Sequence, residues 1–294
     1  MKGLLNRLLV VAGIFLLFFV ILAISLPLLV QTFGIDLKTR SGMLVSSVYQ
    51  AVILFILPAI LSSYAISRRP FQYLGLTRAP GWLPILGTIF AYLIALPALN
   101  QIVYWNANIS FPAQFELWEQ TLRSLEESAQ ATAATMLAVS SLPAMLLNLA
   151  VVALLTAFAE ELFFRGALQN TAASTRYYHT AIWVVAFFFS AFHFQIFGFV
   201  PRLILGAWFG YLLVWTRSLY VPIFAHFLNN GVVVVCTWLA QNGVNYDFDN
   251  FGVVKTGFPM PAFISAVATV VFLVYFANYF FHRQSPRQHE FSGV

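Results

Sequence analysis

Ionisable side chains are scarce in this sequence, and several stand inside apolar runs. Thr156-Ala157-Phe158-Ala159-Glu160-Glu161-Leu162-Phe163-Phe164-Arg165-Gly166 sets two carboxylates and a guanidinium among hydrocarbon side chains. Phe189-Ser190-Ala191-Phe192-His193 and Ala225-His226-Phe227-Leu228-Asn229-Asn230 each add a histidine in a similar context. Within a bilayer such groups cost at least a few kcal/mol each, so they face a bundle interior or a water-filled cavity and raise the question of function. Glu161 and Arg165 are four apart, share a helical face in the favourable acid-first order, and can offset one another's desolvation. Glu160, about 100° around the same helix, gains no partner from its own segment and is the candidate general base. His226 and Asn230 also share a face, as two donors aimed at one oxygen would; Asn229, three away, is an alternative donor. Taken singly, each histidine or asparagine also reads as a packing device that hydrogen-bonds neighbouring helices.

These groups need elements that bring them to one level. Apolar residues make up 61% of the chain and charged residues 9%, with mean hydropathy +0.83, far from the roughly half apolar and quarter charged make-up of soluble domains. Runs long enough for a bilayer, about 20 residues, recur over 8–29, 43–66, 82–105, 143–170, 180–197, 202–215, 219–240 and 261–281. The expected fold is therefore all-α: one polytopic membrane bundle over residues 1–294, with about eight transmembrane helices and a functional core in 143–240. At about 1.5 Å of rise per residue, Glu160 lies about 16 Å from a helix end near Thr171, His193 about 20 Å beyond Thr180 and His226 about 10 Å beyond Leu219. All three fall inside a hydrocarbon core of about 30 Å.

Charge placement gives an orientation. With the N-terminus inside, the inner segments hold Lys2, Arg7, Arg68, Arg69, Arg78, Arg176, Arg217, Arg283 and Arg287 against Glu290, while the outer ones hold Lys38, Arg40, Arg123, Arg202 and Lys255 against Asp36, Glu116, Glu119, Glu126, Glu127, Asp247 and Asp249. Retention of basic residues in the cytoplasm predicts that both termini are cytoplasmic. The net charge of +5 is thus a topology signal. No basic stripe with interleaved aromatics suggests nucleic acid. The first apolar run exceeds a signal-peptide core and reads as a retained helix. The single cysteine, Cys236, excludes an internal disulfide and a cysteine-based metal cluster. Phe115, Trp118, Leu122 and Leu125 recur at helical spacing within 111–135, predicting a helix along the outer membrane surface. His179, His282 and His289 fall in loop or tail sequence, and Ser190 lacks the strained turn of a serine nucleophile.

The three polar motifs together resemble the CPBP membrane family, which includes the prenyl-protein CAAX endopeptidases and Abi or bacteriocin-processing relatives. Its two glutamates, three residues and an arginine correspond to Glu160-Glu161-Leu162-Phe163-Phe164-Arg165, its Phe with His four later to Phe189 and His193, and its His with Asn four later to His226 and Asn230. The resemblance implies an intramembrane glutamic endopeptidase, in which Glu160 and His193 activate a water, His226 and Asn230 stabilise the oxyanion, and Glu161 and Arg165 support the site. The implied partners are a membrane-associated peptide or protein substrate, prenylated or leader-containing, and the lipid bilayer. The implied location is a bacterial cell membrane. No cofactor is implied. Residue types also permit zinc on two histidines and Glu160, although a His-Glu-x-x-His helix is lacking. A different class, a scaffold, immunity protein or proton-coupled transporter, would use the same polar groups for helix association or proton relay. Oligomeric state and substrate identity have no sequence signal.

Overall fold

A computed structural model describes residues 2–173, 177–244 and 247–284. Arg176, Arg287, His289 and Glu290 lie outside the described residues. The described residues form helices joined by short loops, and seven of the helices are long and apolar enough to cross a membrane. The protein is an integral, multi-pass membrane bundle.

In chain order the helices are α1 (Lys2–Phe33), α2 (Arg40–Ile66), α3 (Trp82–Ala107), α4 (Glu116–Leu137), α5 (Leu142–Ala172), α6 (Tyr178–Ala191), α7 (Phe199–Thr216), α8 (Tyr220–Gln241) and α9 (Met260–Gln284). Backbone polar groups must be satisfied internally in hydrocarbon, which selects helices for the spans. Thr39 opens α2 by accepting from the Gly42 N–H. Pro at the first turns of α5, α7 and α8 starts these helices where a missing N–H is harmless.

The fifth apolar helix corrects the sequence reading. The hydrophobic run continues to residue 197, but the helix stops at Ala191 and Phe192–Gln195 form a tight turn. Phe194 has φ 54°, a conformation that a helix cannot incorporate and that strains an aromatic residue. α6 has 14 residues and rises about 21 Å, and His193 lies in the turn that follows it, beside the end of α3. α7 then returns beside α6 through a short 3-10 segment, Ile196–Gly198.

α5 is the central element. Its α-helical turns alternate with π-helical segments at Leu149–Leu155 and Leu162–Gln169. Four residues at 3.6 per turn drift by about 40°, and the wider π turn swings them back. Glu161, Arg165 and Gln169 therefore lie along one buried line. α8 packs against the first half of α5, α6 and α7 against the second, and α9 against α3. Phe15, Phe55, Phe163, Phe164 and Phe189 fill the space between α1, α2, α5 and α6.

α4 lies over this turn with an unexpected face inward. Phe115, Trp118 and Leu125 are exposed, while Glu119, Arg123 and Glu126 turn toward the bundle. The Arg123 guanidinium stands 4.1 Å from the Phe197 ring centroid. A protein in water would reverse this arrangement; a helix flanked by lipid has no reason to.

Candidate active site

The buried core of the site is a three-residue ionic network. Arg165 Nη1 and His226 Nδ1 each lie 2.9 Å from the same oxygen, Glu161 Oε1. Glu161 and Arg165 are 0% exposed. Arg165 reaches further, donating from Nη2 to the Gly206 carbonyl of α7 at 2.9 Å. One turn on, Gln169 donates to the Gly210 carbonyl at 3.0 Å. These bonds need the α7 backbone close to α5. A Cβ on Gly206 would stand 3.0 Å from Phe189 Cδ1 and 3.2 Å from Arg165 Nη2, and one on Gly210 would meet Gln169 Oε1 at 2.6 Å. The Gly206 and Gly210 pair is a small-residue contact of the kind membrane helices use for close approach. The polar motifs gave no sign of it, although the glycine spacing is visible in the sequence.

Phe189 lies between the polar groups. Its ring is 5.3 Å from the His193 ring, 5.8 Å from the His226 ring and 4.4 Å from the Arg165 guanidinium carbon. Phe209 stacks on His226 at 5.1 Å. Aromatic walls on both sides fix the imidazole planes and keep bulk water from the ion pair.

His193 is half-buried, and its Nδ1 is 2.9 Å from the Phe189 carbonyl. A carbonyl can only accept, so Nδ1 carries the proton and Nε2 of the neutral ring is an acceptor. Glu160 is half-buried too, and its Oε2 has no hydrogen-bond partner among the described residues. Its carboxylate is near enough to act electrostatically on His193, Arg165 and Arg202. Asn229 donates to the Asn230 side-chain oxygen at 3.2 Å, which leaves the Asn230 amide NH2 as a donor. Ser190 is buried and donates to the Phe199 carbonyl at 2.6 Å. Its hydroxyl ties the two ends of the turn together.

The structure thus joins Glu161, Arg165 and His226 directly and sets Glu160 in the electrostatic neighbourhood of His193. The bond from His226 to Glu161 was not legible in the motif spacing, which paired Glu161 with Arg165 alone. His179 lies apart, with Nδ1 2.9 Å from the Tyr211 hydroxyl. Among the described residues no three His, Cys, Asp or Glu side chains are grouped as a metal ion would require.

Residues 142–232 match the family model described as Type II CAAX prenyl endopeptidase Rce1-like. Glu160, Glu161, Arg165, His193, His226 and Asn230 all fall inside the matched segment. Over 83 residues the chain is 35% identical to "Uncharacterized protein YpbD" of Bacillus subtilis (strain 168), an alignment covering 27% of this chain. The chain spans 40% of the length of that curated relative. No solved structure matches the chain.

Proposed function

We propose that the protein is an intramembrane endopeptidase that hydrolyses a peptide bond of a membrane-associated substrate with a water activated by Glu160 and His193. The observation that carries this reading is the unpartnered Glu160 Oε2, whose carboxylate acts electrostatically on His193, a histidine with its proton held on Nδ1. The family match supports the reaction class. A substrate with a prenylated C-terminus or a leader segment belongs to this proposal, as does the reaction without metal.

Amide hydrolysis needs an activated water, donors for the tetrahedral oxyanion and a proton for the departing amine. A water between Glu160 and His193 Nε2 can give one proton to the carboxylate while its oxygen attacks the carbonyl carbon. Glu160 then returns that proton to the amine nitrogen as the C–N bond breaks. For His226 to donate from Nε2 with Nδ1 on Glu161, the ring must carry both protons. Glu161 is shared between that charge and Arg165, and the Glu160 carboxylate, which also acts on Arg165, is the second negative charge nearby. Asn230, one turn along α8, supplies a second donor. Donors held by a packed, water-poor site stabilise a developing oxyanion strongly because they need not reorganise.

The test is to compare membrane peptides from cells carrying the parent chain with those from cells carrying Glu160→Gln. General base loss is expected to lower turnover by roughly 10²- to 10⁴-fold, so uncleaved precursors should accumulate with the variant. Unchanged peptide profiles and undiminished turnover by purified Glu160→Gln would overturn the proposal. Stoichiometric zinc, with activity lost on chelation and restored by the metal, would overturn the scheme without metal.

A further inference from the structure

The turn that carries His193 is gripped from outside the polar motifs. Asn106, near the end of α3, donates to the Ile196 carbonyl at 3.1 Å and accepts from the Val200 N–H at 2.8 Å. Arg202, in the first turn of α7, donates Nη1 to the Gln195 side-chain oxygen at 2.7 Å and Nη2 to the Gln195 carbonyl at 2.6 Å. A Cβ at Gly198 would stand 2.7 to 2.9 Å from atoms of the same guanidinium, so Arg202 lies directly against the turn. Three hydrogen bonds to backbone and one to the Gln195 side chain, all made by two side chains, thus converge on a segment that begins two residues after His193.

That concentration has a physical cause. A non-helical turn covered by other helices leaves carbonyl and N–H groups that no helical ladder satisfies, so neighbouring side chains must do so. Phe194 is held at positive φ, a conformation that persists only where its surroundings over-determine it. The orientation of His193 depends on the same turn. Its Nδ1 bond to Phe189 spans the last turn of α6, and residues 194 and 195 set where the ring can lie.

We propose that Arg202 and Asn106 are positioning residues for His193, clamping the 195–200 backbone so that the imidazole stays on the Phe189 carbonyl with Nε2 left for the reacting water. The inference rests on the role given to His193 above. Neither side chain touches the reacting atoms. Asn106 lies outside the segment that matches the family model, which makes α3 a contributor to the site. Arg202 also lies in the fields of Glu160 and Glu126, so charge and clamp need separate variants. Lysine keeps the charge but cannot reproduce a planar two-pronged grip.

The test uses the full-length protein in lipid nanodiscs and two independent readouts. The first is carbethoxylation of His193, His226 and His179 by diethyl pyrocarbonate, quantified by mass spectrometry. The second is turnover of the peptides that accumulate in Glu160→Gln cells. In Arg202→Gln, Arg202→Lys and Asn106→Leu the reactivity of His193 should change several-fold while those of His226 and His179 stay at parental values. Turnover should fall roughly 10- to 100-fold in kcat with KM unchanged, the range for groups that orient a reacting side chain. Arg202→Lys should resemble Arg202→Gln. Parental His193 reactivity in all three variants, or full rescue by lysine, would overturn the clamp. If one variant fails to fold, the same readouts on the others decide. Because carbethoxylation needs no substrate, it judges the clamp even if Glu160→Gln shows that no peptide is cut.

Discussion

Glu161 accepts two cationic or proton-bearing partners on one oxygen, and that arrangement makes Arg165 hard to replace. Removing one member of a buried ion pair leaves the other uncompensated, typically costing about 3–5 kcal/mol. Arg165→Met should therefore lower thermal stability in detergent strongly. It should also release the Gly206 carbonyl and loosen His226 through Glu161. Adding Glu161→Gln should recover part of the loss, because the uncompensated carboxylate is gone. A double variant no more stable than Arg165→Met would show that the bond to Gly206 matters more than the charge. The i,i+4 spacing of Glu161 and Arg165 was readable in the sequence, since one helix determines that distance. The bond from His226 was not, because it depends on how α8 approaches α5 across 65 positions of chain.

At the scale of elements, α7 works through what it lacks. Gly206→Val should push α7 from α5 and α6, with an overpacking cost of about 1–3 kcal/mol and lower turnover. Gly231→Ala on α8 is the control. Its added Cβ would meet Leu149 only at 3.6 Å, and alanine favours a helix over glycine by about 1 kcal/mol, so melting should be unchanged or raised. Similar losses at both positions would argue against close approach as the role of Gly206. α4 offers a pH-dependent handle. Hydrogen bonds from the Phe111 N–H and then from Arg123 hold the Glu119 carboxyl below the usual carboxylate range. A depressed carboxyl contributes its stabilisation above the unfolded value, about 4.3, and loses it as pH falls through the lower folded value. Hydrogen exchange at Phe111 should therefore reflect constant protection, after correction for intrinsic rates, from neutrality to about pH 5 and lose it only below the ordinary glutamate range. Loss of protection centred near pH 6 to 7 would assign the docking of α4 to another group. The apolar repeat in 111–135 was legible, but its direction was not, because only the packing partner decides which side of an amphipathic helix is inside.

For the molecule as a whole, the number and approximate limits of the apolar helices were legible because hydrocarbon leaves helices as the way to satisfy a spanning backbone. The stop at Ala191 was not. His193 and Gln195 interrupt the apolar run without marking a helix end, and the break comes with one backbone conformation, Phe194 at φ 54°, together with contacts from α3 and α7. Orientation remains a prediction from charge. Both ends should be cytoplasmic, so reporters fused at either terminus should be active only as cytoplasmic fusions. A reporter active on the outer face of the membrane at either end would reverse the topology.

The short reach of α6 bears on how the chain enters a membrane. A helix of 14 residues is shorter than the roughly 20 needed to span a bilayer alone, and its turn depends on bonds from α3 and α7. α6 and α7 must therefore insert together as one hairpin, after α3 has already delivered Asn106. The order of synthesis suits this: α3 emerges before α6, and Arg202 on α7 follows directly after the turn it closes.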